Sequence, residues 1–371
     1  MSYSIVIFLV AVLLSFSAVS LIKYIGHKYN ILLYPQEDRW HSRPIAIHGG
    51  LGVFPVFILL IFFTIGMSSE MINIFNSSLQ NELMIENFFA DLAFLIGLIG
   101  SSIILFILGW MDDIFRFSAK LKFGVQLIVS SVFILDFGTF PITQIESINF
   151  FYTLFWFIGI INATNLIDCM DGLCSGVIII SSSYLLFILL QTNMADTETF
   201  LSMNLIILFI GSLAGFLVLN FPPAKIFMGD SGSLPIGFII AAMTMPSDFN
   251  TFAISQDISQ QVLIPIALLL YPIFDTSLVF ISRTLNKRKF YHGGKDHSCH
   301  RLVGLGLTEQ QSILICYTFG LLGGLVAVLI HLFPGFILFF ILALVSIFLP
   351  PLVYLHNIHE YDIASSLSAE D

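Results

Sequence analysis

Eleven apolar runs, most about 20 residues long, leave this chain few ways to fold. They lie near 4–22, 49–67, 88–109, 121–138, 147–163, 173–192, 202–221, 232–246, 261–282, 312–332 and 335–355, the run 232–246 being short. A hydrocarbon core about 30 Å thick needs about 20 apolar helical residues to cross it. Inside that core every backbone polar group must be satisfied within the segment or a closed barrel, which for runs of this length selects helices. The sequence therefore predicts an all-α integral membrane protein with about eleven transmembrane helices. Composition agrees. Only 10% of the 371 residues are charged and 39 are Phe, whereas a soluble domain carries roughly a quarter charged residues. The run 4–22 has no basic segment before it and no small-residue cleavage site after it. It reads as a first transmembrane helix rather than a cleaved signal.

Basic residues cross a membrane poorly and stay in the cytoplasm. With the N-terminus outside, the inner segments are roughly 23–48, 110–120, 164–172, 222–231, 283–311 and 356–371. All 14 Lys and Arg fall within or at the edge of these: Lys23, Lys28, Arg39, Arg43, Arg116, Lys120, Lys122, Lys225, Arg283, Lys287, Arg288, Lys289, Lys295 and Arg301. The outer loops carry Glu70, Glu82, Glu86, Asp196, Glu198, Asp248 and Asp257 instead. This sorting places the C-terminus in the cytoplasm. It makes 1–355 one polytopic domain, followed by a short polar tail, 356–371. The net charge of −10 argues against nucleic acid as a partner. Cys169, Cys174, Cys299 and Cys316 form neither a C-x-x-C pair nor a zinc spacing, and read as reduced thiols on the cytosolic side.

Four polar segments gather on the cytoplasmic face. Asp112 and Asp113, at the inner end of the third run, are adjacent carboxylates that repel one another unless a cation lies nearby; a solvated acidic pair at a helix end is the alternative. Asn162, Asn165, Asp168 and Asp171 recur every three residues, which on a helix lines their oxygens along one stripe. Hard oxygen ligands so arranged suit Mg²⁺. In the third segment, Gly229 and Gly232 flank Asp230 and Ser231 just before a helix begins. Glycines permit close backbone approach and helix-start amides attract phosphate, so Asp230 could hold a metal shared with that phosphate. A plain capped turn competes with this reading. The fourth segment gathers Lys295, His297, His300 and Arg301, four donors able to grip a diphosphate. A zinc site of His297, Cys299 and His300 fails on spacing and lacks a fourth ligand. Asp275, within the ninth run, is an intramembrane acid that could be functional or structural. His48-Gly49-Gly50, with Arg39 and Arg43, close the first cytoplasmic loop and could meet a lipid phosphate, or serve as ordinary positive-inside anchors.

These motifs, read in order, resemble the polyprenyl-phosphate N-acetylhexosamine-1-phosphate transferases, the glycosyltransferase family 4 enzymes that include the phospho-N-acetylmuramoyl-pentapeptide transferases. The resemblance runs from Arg43 to Gly50, through Asp112-Asp113, Asn165 to Gly172 and Phe227 to Ser233, to Asp296-His297-Ser298-Cys299-His300-Arg301. It implies transfer of a sugar-1-phosphate, with N-acetylglucosamine the favoured sugar, from a UDP-N-acetyl sugar to undecaprenyl phosphate with release of UMP. It further implies Mg²⁺, for which Mn²⁺ is a candidate substitute, and a bacterial inner membrane with the active site facing the cytoplasm. Such a step would initiate a lipid-linked glycan such as O-antigen or a cell-wall polymer.

The resemblance implies Asp112 and Asp113 in catalysis, Asp230 with Asn165 on the metal, Asp168 and Asp171 on metal or nucleotide, and His297 and His300 near the sugar diphosphate. With the reading of the residues above, Asp168 is assigned to the metal, and Asp171, Lys225, Gly229, Ser231, Lys295, His297, His300 and Arg301 to substrate. A homodimer is left open. Two departures stand out: Cys169 occupies a position where the family usually has glycine, and the histidine motif reads His-Ser-Cys-His. A cation- or proton-coupled transporter is the rival class, but such folds place their acids near the bilayer midplane.

Overall fold

The structure, a computed structural model, describes residues 2–35, 43–67, 82–191, 197–245, 258–288 and 294–356. Arg39, Lys289, Glu70, Asp196, Asp248, Asp257 and the tail beyond His356 lie outside the described residues. Helices dominate: α1 (Ser2–Lys28), α2 (Gly50–Met67), α3 (Glu82–Phe115), α4 (Ala119–Phe137), α5 (Glu146–Ile167), α6 (Leu173–Leu189), α7 (Thr197–Asn220), α8 (Asp230–Met243), α9 (Ile258–Leu268), α10 (Leu270–Leu285), α11 (Ser298–Gly304), α12 (Glu309–Leu332) and α13 (Ile337–His356).

Among the described residues, six helical segments are long and apolar enough to cross a membrane, or up to seven if the bent pair α9–α10 counts as one span. The chain is a multi-pass membrane protein. Helices also occupy the other predicted runs, but α6 and α8 are short, as is the span-like part of α2. In α4, Lys120, Lys122 and Asp136 interrupt the apolar run.

The ninth predicted run, 261–282, is not a single helix. It breaks at Leu269, and its halves meet at 72°. Pro272 has no N–H for the carbonyl four residues back; Ser181 Oγ donates to that Leu268 carbonyl at 2.6 Å, from α6. A neighbouring hydroxyl thus satisfies what proline leaves open, as apolar surroundings require.

The centre of the bundle is α8, in which every residue from Ser231 to Met243 is buried. It packs between α3 and α5, with α2 alongside. Close approach is possible because Gly109 of α3 lacks a Cβ, which would collide with the Asp230 backbone. The first cytoplasmic loop is stitched to the same place. The antiparallel pair β1 (Leu32–Leu33) and β2 (Ile45–Ala46) leads to Ala46, whose carbonyl accepts from Phe227 N at 2.9 Å. Gly49 N and Gly50 N then donate to Phe227 and Met228 carbonyls at 2.8 and 2.9 Å.

On the opposite wall, Arg283 of α10 grips Asp296 through two bonds, Nε to Oδ2 and Nη2 to Oδ1, each 2.7 Å. Both residues are buried. Arg301 donates to the Asp296 carbonyl, the Leu355 carbonyl and Ser282 Oγ, tying α11 to α10 and to the end of α13. Replacing Asp296 by Ala strips the buried guanidinium of its carboxylate, a loss of about 3–5 kcal/mol. Thermal unfolding in detergent should register it, and Arg283→Met combined with Asp296→Leu should recover most of the stability.

Candidate active site

A cleft of about 620 Å³ opens where the ends of α3, α5, α8 and α11 meet. Of the residues singled out from sequence, Asp112, Asp113, Asn165, Asp168, Asp171, Gly229, Asp230, His297 and His300 all line it. Residues up to 188 positions apart in the chain therefore share one polar space. Lys225, Ser231, Lys295 and Arg301 do not line it.

The start of α8 organises the acidic side. Its N-cap residue is Gly229, at φ +76°, with no side chain to cap the helix. Asp113 supplies the cap from α3: Asp230 N donates to Oδ1 at 2.9 Å and Ser231 N to Oδ2 at 3.2 Å. Any Cβ on Gly229 would lie 2.6 Å from that carboxylate. His48 Nδ1 faces Asp113 Oδ2 at 3.3 Å. Gly232 N and Ser233 N turn back to the Gly229 carbonyl. The expectation that helix-start amides here await a phosphate is thereby corrected: a carboxylate already takes the first two. Ser231 is wholly buried, and Asp113 acts on this side of the cleft as a positioning group.

Asp112 and Asp230 are then brought face to face. Asp112 Oδ1 accepts from Phe117 N at 2.7 Å, closing the end of α3. Its Oδ2 accepts from Lys122 Nζ at 2.9 Å, and the same ammonium donates to Asp230 Oδ2 at 2.8 Å. Asp230 Oδ1 accepts from Asn165 Nδ2 at 2.9 Å, and that amide also donates to Ser233 Oγ at 2.8 Å. Lys122, noted from sequence only among the cytoplasmic basic residues, is thus the cation between the two acids. Its one sequence signal is a lysine just inside the edge of an apolar run.

The predicted stripe of four does not form. Helix α5 ends at Ile167, so Asp168 and Asp171 lie in the turn beyond it, closed by Gly172 at φ +73°. Asn162 points elsewhere, donating to Gln126 Oε1 at 2.8 Å. Asp171 Oδ2 accepts from Ala224 N at 2.7 Å, pinning this turn to the segment before Asp230. Burial pushes the Asp171 carboxyl up to about 6, against the opposing pull of that amide.

The histidine side has its own buried acid. Asp275 Oδ2 lies 2.7 Å from His297 Nδ1, and its Oδ1 accepts from Ser298 N and Ser298 Oγ. Asp275 therefore caps α11 and orients His297. Burial opposes charge on His297, but Asp275 outweighs it and holds the imidazole above its ordinary value. Burial takes His300 the other way, to about 3, with His297 adding to the effect. The cleft thus drives its two imidazoles apart, His297 toward the charged form and His300 toward the neutral one, a separation that environment alone creates. Arg301, expected to grip substrate, is instead spent on the backbone and hydroxyl bonds that hold α11.

A multi-pass helical membrane protein with clustered acids and paired histidines in one cleft is the class these observations define. Residues 95–248 match the family described as glycosyl transferase family 4. A "probable undecaprenyl-phosphate N-acetylglucosaminyl 1-phosphate transferase" of Bacillus subtilis is 30% identical, over 93% of this chain and 90% of that one. A decaprenyl-phosphate N-acetylglucosaminephosphotransferase of Mycolicibacterium smegmatis is 26% identical, over 83% and 77%. A phospho-N-acetylmuramoyl-pentapeptide-transferase of Listeria monocytogenes is 30% identical, over 61% and 71%. The chain belongs to glycosyl transferase family 4.

The folded chain holds the Asp171 proton up to about pH 6, where an ordinary aspartate releases it near 3.8. Folding stability should therefore fall as pH rises through that window, by at most about 3 kcal/mol. Asp171→Asn should show no such slope. Unfolding temperatures of the two proteins, compared from pH 4 to pH 7, give the difference directly.

Proposed function

We propose that the protein transfers N-acetylglucosamine-1-phosphate from its UDP-sugar to undecaprenyl phosphate and releases UMP, as the first step of a lipid-linked cell-surface glycan. The reading sets the chain across the bacterial inner membrane in eleven spans, N-terminus outside, with residues 1–355 as one domain and the cleft facing the cytoplasm. The observation that carries it is the triad of Asp112, Lys122 and Asp230, which holds positive charge between two acids at one end of the bundle. The printed names of the Bacillus and Mycolicibacterium relatives, both acting with N-acetylglucosamine on a polyprenyl phosphate, support the substrate pair.

Both reactants are anions, so the barrier is largely their mutual repulsion, and catalysis is positioning and charge neutralisation. The donor set fits Mg²⁺, with Mn²⁺ as a substitute. Asp230, Asp168 and the Asn165 side chain offer hard oxygens, and the Lys122 ammonium between Asp112 and Asp230 marks a place built to face a cation. Those three residues would hold the ion, which when bound supplies positive charge against the diphosphate.

The chain's own groups do the rest. His297, oriented by Asp275 and pushed by it toward the protonated form, donates to a phosphate oxygen of the nucleotide sugar. Lys122 balances the acids and can pass to the lipid phosphate as it arrives. Asp112, held by Phe117 N through one oxygen, turns the other toward that phosphate and keeps it deprotonated as general base. The lipid phosphate then attacks the β-phosphorus directly. Asp113 and Asp275 act through the groups they orient.

Asp112→Asn and Asp230→Asn should each lower UMP release at least about 10³-fold, and Lys122→Met about 10²-fold, with all three proteins still monodisperse in detergent. Labelled nucleotide sugar should enter an organic-extractable product only with the wild type. Activity within a few-fold of wild type for both aspartate variants ends the assignment. A panel of UDP-sugars tests the choice of N-acetylglucosamine.

A further inference from the structure

Cys169 lies in the turn after α5, and Cys299 and His300 lie in the first turn of α11, 130 residues away. The fold places Cys169 Sγ 3.6 Å from Cys299 Sγ. One ligand atom from each of these two cysteines and from His300 lies within 4.8 Å of the others. We propose that Cys169, Cys299 and His300 form a binding site for a soft transition-metal ion of the Zn²⁺ type in the wall of the cleft. The site is separate from the hard-oxygen site at Asp230 and does not depend on the transfer reaction.

The distances favour a shared ion over a covalent bond. Two thiolates on a tetrahedral Zn²⁺, each about 2.3 Å from the metal, are about 3.8 Å apart, close to the spacing found. A disulfide needs about 2.05 Å, so the sulfurs would have to close by about 1.5 Å. The donors are two thiols and an imidazole, the combination that soft and borderline ions select, whereas Mg²⁺ selects carboxylate and amide oxygens. One cleft therefore carries two donor sets that different cations would sort between.

Binding balances simply. The ion displaces one proton from each thiol, His300 enters as the neutral imidazole that its burial already enforces, and two protons leave to solvent. Cys169 and His300 line the cleft, from which a water could complete the coordination. An occupied site would staple the turn bearing Asp168 to the helix beginning beside His297, joining the two walls.

The experiment uses full-length protein in detergent, stripped with chelator and kept reduced, with Co²⁺ as the probe. One equivalent should bind with the ultraviolet absorption of a thiolate–cobalt bond. Zn²⁺ should displace it and Mg²⁺ should not. Cys169→Ser and Cys299→Ser should each abolish the band, whereas Cys174→Ser should keep it. Zn²⁺ should also protect Cys169 and Cys299 of the unaltered protein from alkylation, read by mass spectrometry; this arm needs no variant to fold. Three results would overturn the proposal: no thiolate band with all thiols reduced, a band that survives both substitutions, or equal alkylation with and without Zn²⁺. UMP release, measured on the same stripped sample with Mg²⁺ restored, reports on the transfer reaction independently.

Discussion

The buried start of α8 is the constraint from which the cleft follows. Its first amides lie inside the bundle, where a donor left unpaired costs about 1–3 kcal/mol, and Gly229 has no side chain to offer them. Asp113 reaches across from α3 to accept from Asp230 N and Ser231 N. That cap brings the end of α3 against α8, and because Asp112 is the next residue, it brings Asp112 to Asp230 as well. Two carboxylates so placed would repel one another. Lys122 removes the repulsion from a third helix. A single capping requirement thus sets the spacing of the acids and the position of their counter-charge.

The opposite wall uses the same device for another end. Asp275 caps α11 through Ser298 and fixes His297, while Arg283 and Arg301 lock the loop around Asp296. Neighbouring histidines in one cleft are driven apart in charge, His297 upward by a carboxylate and His300 downward by burial. Cys169, Cys299 and His300 sit where these walls meet, so the turn after α5 carries two carboxylates, Asp168 and Asp171, and a thiol within two residues of each. Among the described residues, α1 and α13 contrast with these walls and spend most of their length exposed as apolar helices.

Much of this was legible in the chain. Apolar runs mark the long helices, though not α11 or the break in 261–282, because a segment that must satisfy its own backbone in lipid has one regular choice. The polar residues of the cleft were also marked, since Asp112, Asn165, Asp168 and Asp230 stand at the ends of apolar runs where polarity has a cost. Other features were misread because they depend on a partner. The 261–282 run bends at Leu269, with Ser181 of another helix on its open carbonyl. The Asn162–Asp171 stripe stops at Ile167, where Gly172 turns the chain. Arg301 and the α8 amides looked available to phosphate only while their real partners, the Asp296, Leu355 and Ser282 oxygens and Asp113, were out of view.

Local pattern, then, determined that this chain crosses a membrane as helices and that its polar chemistry gathers in the segments between them, because hydrophobicity and helix length act within a few residues. Tertiary structure alone decided which acid meets Lys122, which carboxylate caps α8, and that Cys169 stands beside Cys299. Apart from Lys122 with Asp112, those pairings join residues more than a hundred positions apart, and helix packing, governed by contacts such as Gly109 on Asp230, determines which distant side chains become neighbours.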